Sequence, residues 1–121
     1  VGLAVIEEIE SRNLIFESAR KGKILKKELI KIQDENNGVI SHILGEGLIS
    51  AIMFKEKTSG LPDGLIASKI AEKCYEKGLL VVHTGRESIK LGPPLTITDD
   101  ALLEGISVIK ESILEVTKNE K

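Results

Sequence analysis

The sequence predicts an α+β domain, a small antiparallel sheet of three to four strands covered by helices in the order ααββαββα. Three observations lead there. Apolar residues recur at helical spacing through the first 36 residues and again after residues 64 and 98. Between these stretches lie short runs of β-branched and apolar residues split by glycine. The links joining those runs are of hairpin length, and short strands so joined pair antiparallel and need helices on them to close a core.

Leu3, Val5, Ile6 and Ile9 alternate with Glu7, Glu8 and Glu10 at helical spacing, so a first helix carries an apolar stripe that must pack on something. Arg12-Asn13 interrupts it. Leu14, Ile15, Phe16, Ala19, Ile24, Leu25, Leu29, Ile30 and Ile32 continue the period with lysines on the other face, which predicts a long second helix stopped in left-handed geometry near Asn36-Asn37-Gly38. Val39 to Leu44 and Leu48 to Phe54 read as strands, with Gly45-Glu46-Gly47 between them as a bend or bulge. Thr58 to Gly64 is the clearest loop.

Leu65 to Lys77 reads as an amphipathic helix through Leu65, Ile66, Ile70, Ala71, Cys74 and Tyr75, closed by Gly78. Leu79 to His83 and Ser88 to Leu91 read as two strands that pair as a hairpin across Thr84-Gly85-Arg86-Glu87. Pro93 and Pro94 donate no backbone hydrogen bond and hold the residues before them extended, so the strand stops there and the chain turns stiffly. Thr98 is placed to cap the last helix, with Asp99 and Asp100 against its positive dipole end. That helix is expected to bury Leu102, Leu103, Ile106, Ile109, Ile113 and Leu114 and to fray over Lys118 to Lys121.

A chain of 121 residues has the size of one domain, read here as 1–121, and buries roughly two thirds of its unfolded surface on folding. With 41% hydrophobic and 30% charged residues it fits a soluble globular class, and no apolar run approaches the roughly 20 residues of a membrane span. Net charge is -2, from 17 basic and 19 acidic side chains, which gives no electrostatic footprint for nucleic acid. The two Phe, single Tyr and absent Trp leave no stacking platforms for bases. A lone Cys74 suits a reducing, cytoplasmic setting. The opening Val1-Gly2, without an initiator Met, is expected to mark a fragment rather than a trimmed natural terminus.

Among candidate functional residues, Lys90 stands at the end of the strand that Pro93-Pro94 terminates. A cation pre-ordered in this way loses little entropy on fixing a carboxylate, while the bland reading makes it the outward residue of an edge strand. His42 and His83 lack a third ligand at metal-like spacing and read as structural. Cys74, on the apolar face beside Ala71 and Tyr75, reads as a buried inert thiol. Gly45-x-Gly47 lacks the third glycine and following helix of a dinucleotide fingerprint, and Glu7-Glu8 reads as a solvated helix face.

The tract Lys90-Leu91-Gly92-Pro93-Pro94-Leu95-Thr96-Ile97 resembles the C-terminal signature of class III pyridoxal-phosphate-dependent aminotransferases, in which a strand with a substrate-binding arginine runs into Pro-Pro-Leu-x-Ile and the last helix. Ala4 to Glu10, Gly45-Glu46-Gly47-Leu48 and Lys77-Gly78-Leu79-Leu80 resemble that family in the same order, so the likeness covers essentially the whole chain. It implies the C-terminal small domain of a dimeric fold type I enzyme that moves an amino group between an amino acid or amine and a 2-oxo acid. Helices near 1–36 would link to a large cofactor-binding domain, and this chain would form one wall of the substrate site. The Schiff-base lysine, the aspartate for the pyridine nitrogen and the phosphate-binding residues belong to that large domain, so no catalytic, cofactor-binding or metal residue is carried over, and pyridoxal phosphate is not expected on this chain alone.

The family's arginine falls on Lys90, a point charge without a two-pronged fork. Three readings follow: Lys90 meets the substrate through one oxygen or a water, Arg86 in the preceding turn takes over, or the substrate has no carboxylate at that end. The contrasting reading of the whole chain is a free-standing, non-catalytic α+β ligand-binding or regulatory module.

Overall fold

Helix α1 (Gly2–Ser11) and helix α2 (Leu14–Glu35) open the chain in a computed structural model that describes residues 2–83 and 85–119, with side chains through 118. Asn13 separates them at φ 52, a left-handed conformation that few residue types other than glycine adopt readily, so the break falls where the sequence places it. α2 buries Leu14, Lys21, Gly22, Leu25, Leu29 and Ile32, whereas Ile15, Phe16 and Ile30 are exposed. The apolar period thus divides into a core stripe and an outward set.

The end of α2 differs from expectation. Gly38 is not left-handed; the helix stops at Asn36, whose Nδ2 donates to Ile32 O at 2.9 Å while its backbone N–H donates to Gln33 O at 3.0 Å. An asparagine side chain, able to satisfy a terminal carbonyl locally, does what a left-handed stop near Asn36-Asn37-Gly38 was expected to do.

Strand β1 (Ile40–Glu46) pairs antiparallel with strand β2 (Ile49–Phe54), and Glu46 faces Ile49 across a turn at Gly47-Leu48. Gly45, at φ 134, and Glu46 therefore belong to β1 rather than to a link, with the left-handed turn falling to Gly47 at φ 57. The irregularity lies at the other end of β1, where register shifts between Ile40 and His42.

Helix α3 (Gly64–Glu76) begins at Asp63, whose Oδ1 accepts from the Leu65 and Ile66 N–H groups at 3.1 Å each. It ends as expected at Gly78, φ 87: Gly78 N–H donates to Tyr75 O and Leu79 N–H to Cys74 O, the paired bonds of a Schellman stop. Leu65 and Tyr75, expected inward, are 68% and 71% exposed, and the buried set is Ile66, Ala67, Ile70 and Cys74.

Strand β3 (Ser88–Leu91) pairs antiparallel with the free side of β2, giving the order β1-β2-β3. The expected strand at Leu79 to His83 reduces to one bridge, in which Val82 N–H donates to Lys90 O at 3.1 Å and Lys90 N–H to Val82 O at 2.8 Å. Its first N–H is already committed to the end of α3, which shortens the run available for pairing. Thr84, within the expected hairpin link, lies outside the described residues, as do Val1, Glu120 and Lys121.

Helix α4 (Asp99–Asn119) starts at Thr98, whose Oγ1 accepts from Ala101 N–H at 3.1 Å. Leu102, Ile106, Ile109, Ile113 and Val116 form its buried stripe, while Leu103 and Leu114 sit one step round and are exposed. α2, α3 and α4 close a core on one face of the sheet over Ile40, Ile52, Phe54 and Ile89. The helices cover that face alone. On the other, Leu44, Ile49 and Val82 are 53%, 73% and 54% exposed. Among the described residues no helix is long and apolar enough to cross a membrane.

Candidate substrate-facing site

Ile89 is fully buried and Leu91 nearly so, and because successive strand residues face opposite ways they turn Lys90 onto the open face of the sheet. Register sets Lys90 beside Ala51 of β2 on one side and Val82 on the other, with Leu44 beyond Ala51. The result is a cation on a mainly aliphatic, uncovered surface. Its backbone is held from both sides, yet its ammonium makes no hydrogen bond or ion pair among the described residues.

Past β3, the 92–98 segment is tied down from α2. Lys21, only 7% exposed, donates from Nζ to Leu95 O at 3.2 Å. Arg20 donates from Nη1 to Asp99 Oδ2 at 3.0 Å and from Nη2 to Asp99 Oδ1 at 2.9 Å, and also grips Glu17. Those hydrogen bonds hold the Asp99 and Glu17 carboxyls below the ordinary carboxylate range, the Lys21 charge adding to the effect, and they raise Arg20 in turn. Sequence reading missed Arg20, Lys21 and Gly22. The available signals were a lysine on the apolar stripe of α2 and a glycine inside a helix, where it costs stability unless packing requires it.

Arg86 lies in the turn before β3, beside the start of α3, with Nε 3.8 Å from Glu87 Oε2 and its side chain 78% exposed. No hydrogen bond joins it to Lys90 among the described residues. His83 Nε2 lies 3.1 Å from Arg86 O and braces that turn, while His42 faces Met53 across the sheet, so the two histidines do different jobs. Cys74 is fully buried, and burial pushes its thiol pKa up, which keeps it protonated and unreactive. An open groove of about 1020 Å³ runs between the ends of α2 and α4, lined among others by Glu35, Lys55, Lys57 and Thr117, and neither Lys90 nor Arg86 reaches it.

The sequence model of the class-III aminotransferase family matches residues 1–113. This chain belongs to the class-III aminotransferases. An acetylornithine aminotransferase, mitochondrial, of Candida glabrata is 30% identical over 93% of this chain and 24% of its own length. The ornithine aminotransferase, mitochondrial, of Rattus norvegicus is 31% identical over 94% of this chain and 24% of its own. A solved acetylornithine aminotransferase from Elizabethkingia anophelis superposes with a TM-score of 0.83 at 30% identity, covering 95% of this chain and 27% of that one. A leucine/methionine racemase of Thermococcus litoralis is 31% identical over 94% of this chain and 26% of its own length. The chain thus spans about a quarter of the length of the relatives it matches.

For a class-III aminotransferase the resemblance names pyridoxal phosphate as cofactor, which needs a lysine amine, a carboxylate at the ring nitrogen and a cradle of phosphate donors in one cavity. Lys21 and Lys77 are committed to Leu95 O and to Glu115, and Lys90 stands on an open sheet face. None of those three lysines offers its amine inside a cavity.

Proposed function

We propose that this chain is the C-terminal part of a pyridoxal-phosphate-dependent transaminase that moves an amino group between an amino acid or amine and a 2-oxo acid. Its open sheet face forms one wall of the substrate site, and Lys90 receives the substrate carboxylate. A large cofactor-binding domain covers that face in the intact homodimer, so this chain alone is inactive. The observation that carries the reading is Lys90 itself, a cation unpaired among the described residues on an aliphatic face, fixed through its backbone on both sides and followed by the double proline. On that wall a carboxylate meets a single ammonium in a setting drier than bulk water once the face is covered, which strengthens the contact. Arg86 is the weaker claimant, since it lies at the far end of β3 and beside Glu87.

The test is kinetic, in the full-length gene product. Replacing Lys90 by alanine removes one charge-assisted hydrogen bond and is expected to raise KM for carboxylate-bearing substrates roughly tenfold to a hundredfold, with amines that lack a carboxylate unaffected. Unchanged KM and kcat across donors and keto acids sink the role of Lys90. Because one relative is a racemase, both transamination and racemisation are assayed. The 121-residue chain, incubated with pyridoxal phosphate and dialysed, is expected to retain no stoichiometric visible absorbance; retention overturns the reading of this chain as a part without the cofactor site.

A further inference from the structure

Three consecutive residues of α2 hold two distant parts of the chain at one end of the sheet. Gly22 lies so close to the β1–β2 turn that a Cβ there would stand 2.5 Å from Gly47 O. Arg20 takes Asp99 in a two-pronged grip, and Lys21 donates to Leu95 O. The 92–98 segment has little bonding of its own: its two prolines have no N–H, and among the described residues one backbone bond, Ile97 N–H to Pro94 O at 3.0 Å, closes it on itself. A lysine buried to 7% exposure carries a desolvation cost that a methionine of similar length would avoid. That cost is offset by the Leu95 carbonyl and by the neighbouring Glu17 and Asp99 carboxylates.

We propose that Arg20 and Lys21 are positioning residues, a two-point anchor that fixes the 92–98 segment and through it the end of β3 that bears Lys90. The anchor stands on the contacts alone; its consequence for substrate rests on the reading of Lys90 above. Without Lys21 the Leu95 carbonyl loses its donor, and the segment between the Ser50↔Leu91 pair and the Thr98 cap is held less firmly, by the packing of Ile97 and its bond to Pro94 O. A displacement of about 1 Å at a substrate contact costs up to about a hundredfold, expected here in kcat/KM through KM because Lys90 binds the substrate rather than reacting with it.

Two measurements separate the anchor from the reading it serves. In the 121-residue chain, Lys21→Met is expected to speed amide hydrogen exchange at Ile97 roughly tenfold while amides of α3 keep their protection, with Lys21→Arg restoring the slow rate. Arg20→Gln, at a half-exposed position, provides the same comparison if Lys21→Met does not fold. No change at Ile97, or a uniform acceleration everywhere, overturns the anchor. In the full-length gene product, Lys21→Met is expected to raise KM for a carboxylate-bearing substrate with kcat retained, and to add nothing in a Lys90→Ala background. If Lys90→Ala alters KM and Lys21→Met does not, the positioning role fails. If Lys90→Ala is silent while Ile97 exchange accelerates, the Lys90 reading fails and the anchor is confined to folding.

Discussion

At Asp99 one carboxylate serves two ends. It sits in the first turn of α4, where the helix dipole favours negative charge, and it receives both prongs of Arg20 from α2. Its folded-state pKa is depressed, so above the unfolded value of about 4 both states are ionised and the full stabilisation is present. As pH falls below that value the unfolded chain takes up the proton first, and the contribution is gone once pH passes the depressed folded value. Asp99→Asn is therefore expected to be less stable than the wild-type chain at neutral pH and to converge with it in acid, as followed by urea denaturation across pH; parallel curves would show that the pair contributes nothing. The pair is half-exposed on both sides, so salt should weaken it. The Thr98 cap was legible from sequence because capping is local. The partnership of Arg20 with Asp99 was not, since 79 residues separate them and no period connects them.

Elements show the same division between local and distant causes. Every helix was legible, and so were β1, β2 and β3, because apolar period and β-branched runs report local burial directly. Leu79 to His83 has the composition of a strand, yet the stop of α3 takes its first N–H and β3 offers it one bridge. Likewise Leu65, Tyr75, Leu103 and Leu114 have the right chemistry for a core and the wrong angle, one step round from the stripe that meets the neighbouring element. The α2 contact with the β1–β2 turn supplies a direct check. Gly22→Ala gains about 1 kcal/mol in helix propensity, but the new methyl group would meet Gly47 backbone at 2.5–2.6 Å, and overpacking of this kind costs about 1–3 kcal/mol. A net loss of up to about 2 kcal/mol is expected in chemical denaturation. A gain would mean that the turn backs away at no cost.

For the whole molecule, the asymmetry of the sheet is the main physical fact. Three helices bury one face, and the other presents Leu44, Ile49 and Val82 around Lys90. An exposed apolar surface of this kind favours association, so the chain is expected to self-associate as its concentration rises. Ile49→Lys, opposite Glu46 in the sheet, is expected to weaken that association in sedimentation while leaving the melting temperature near its original value. Undiminished association would move the contact to another surface, such as the exposed Leu3, Val5 and Ile6 of α1. The sequence by itself determined the α+β class, the positions of the helices and of the three paired strands, and the resemblance to class-III aminotransferases, because local period, caps and turn chemistry are written in neighbouring residues. Only the tertiary structure decided which apolar residues enter the core, that one sheet face is left open beneath Lys90, and that Arg20, Lys21 and Gly22 bind the Gly47 turn to the double-proline segment. Those are contacts between residues far apart in the chain, and their geometry follows from how the helices pack on the sheet rather than from any spacing along it.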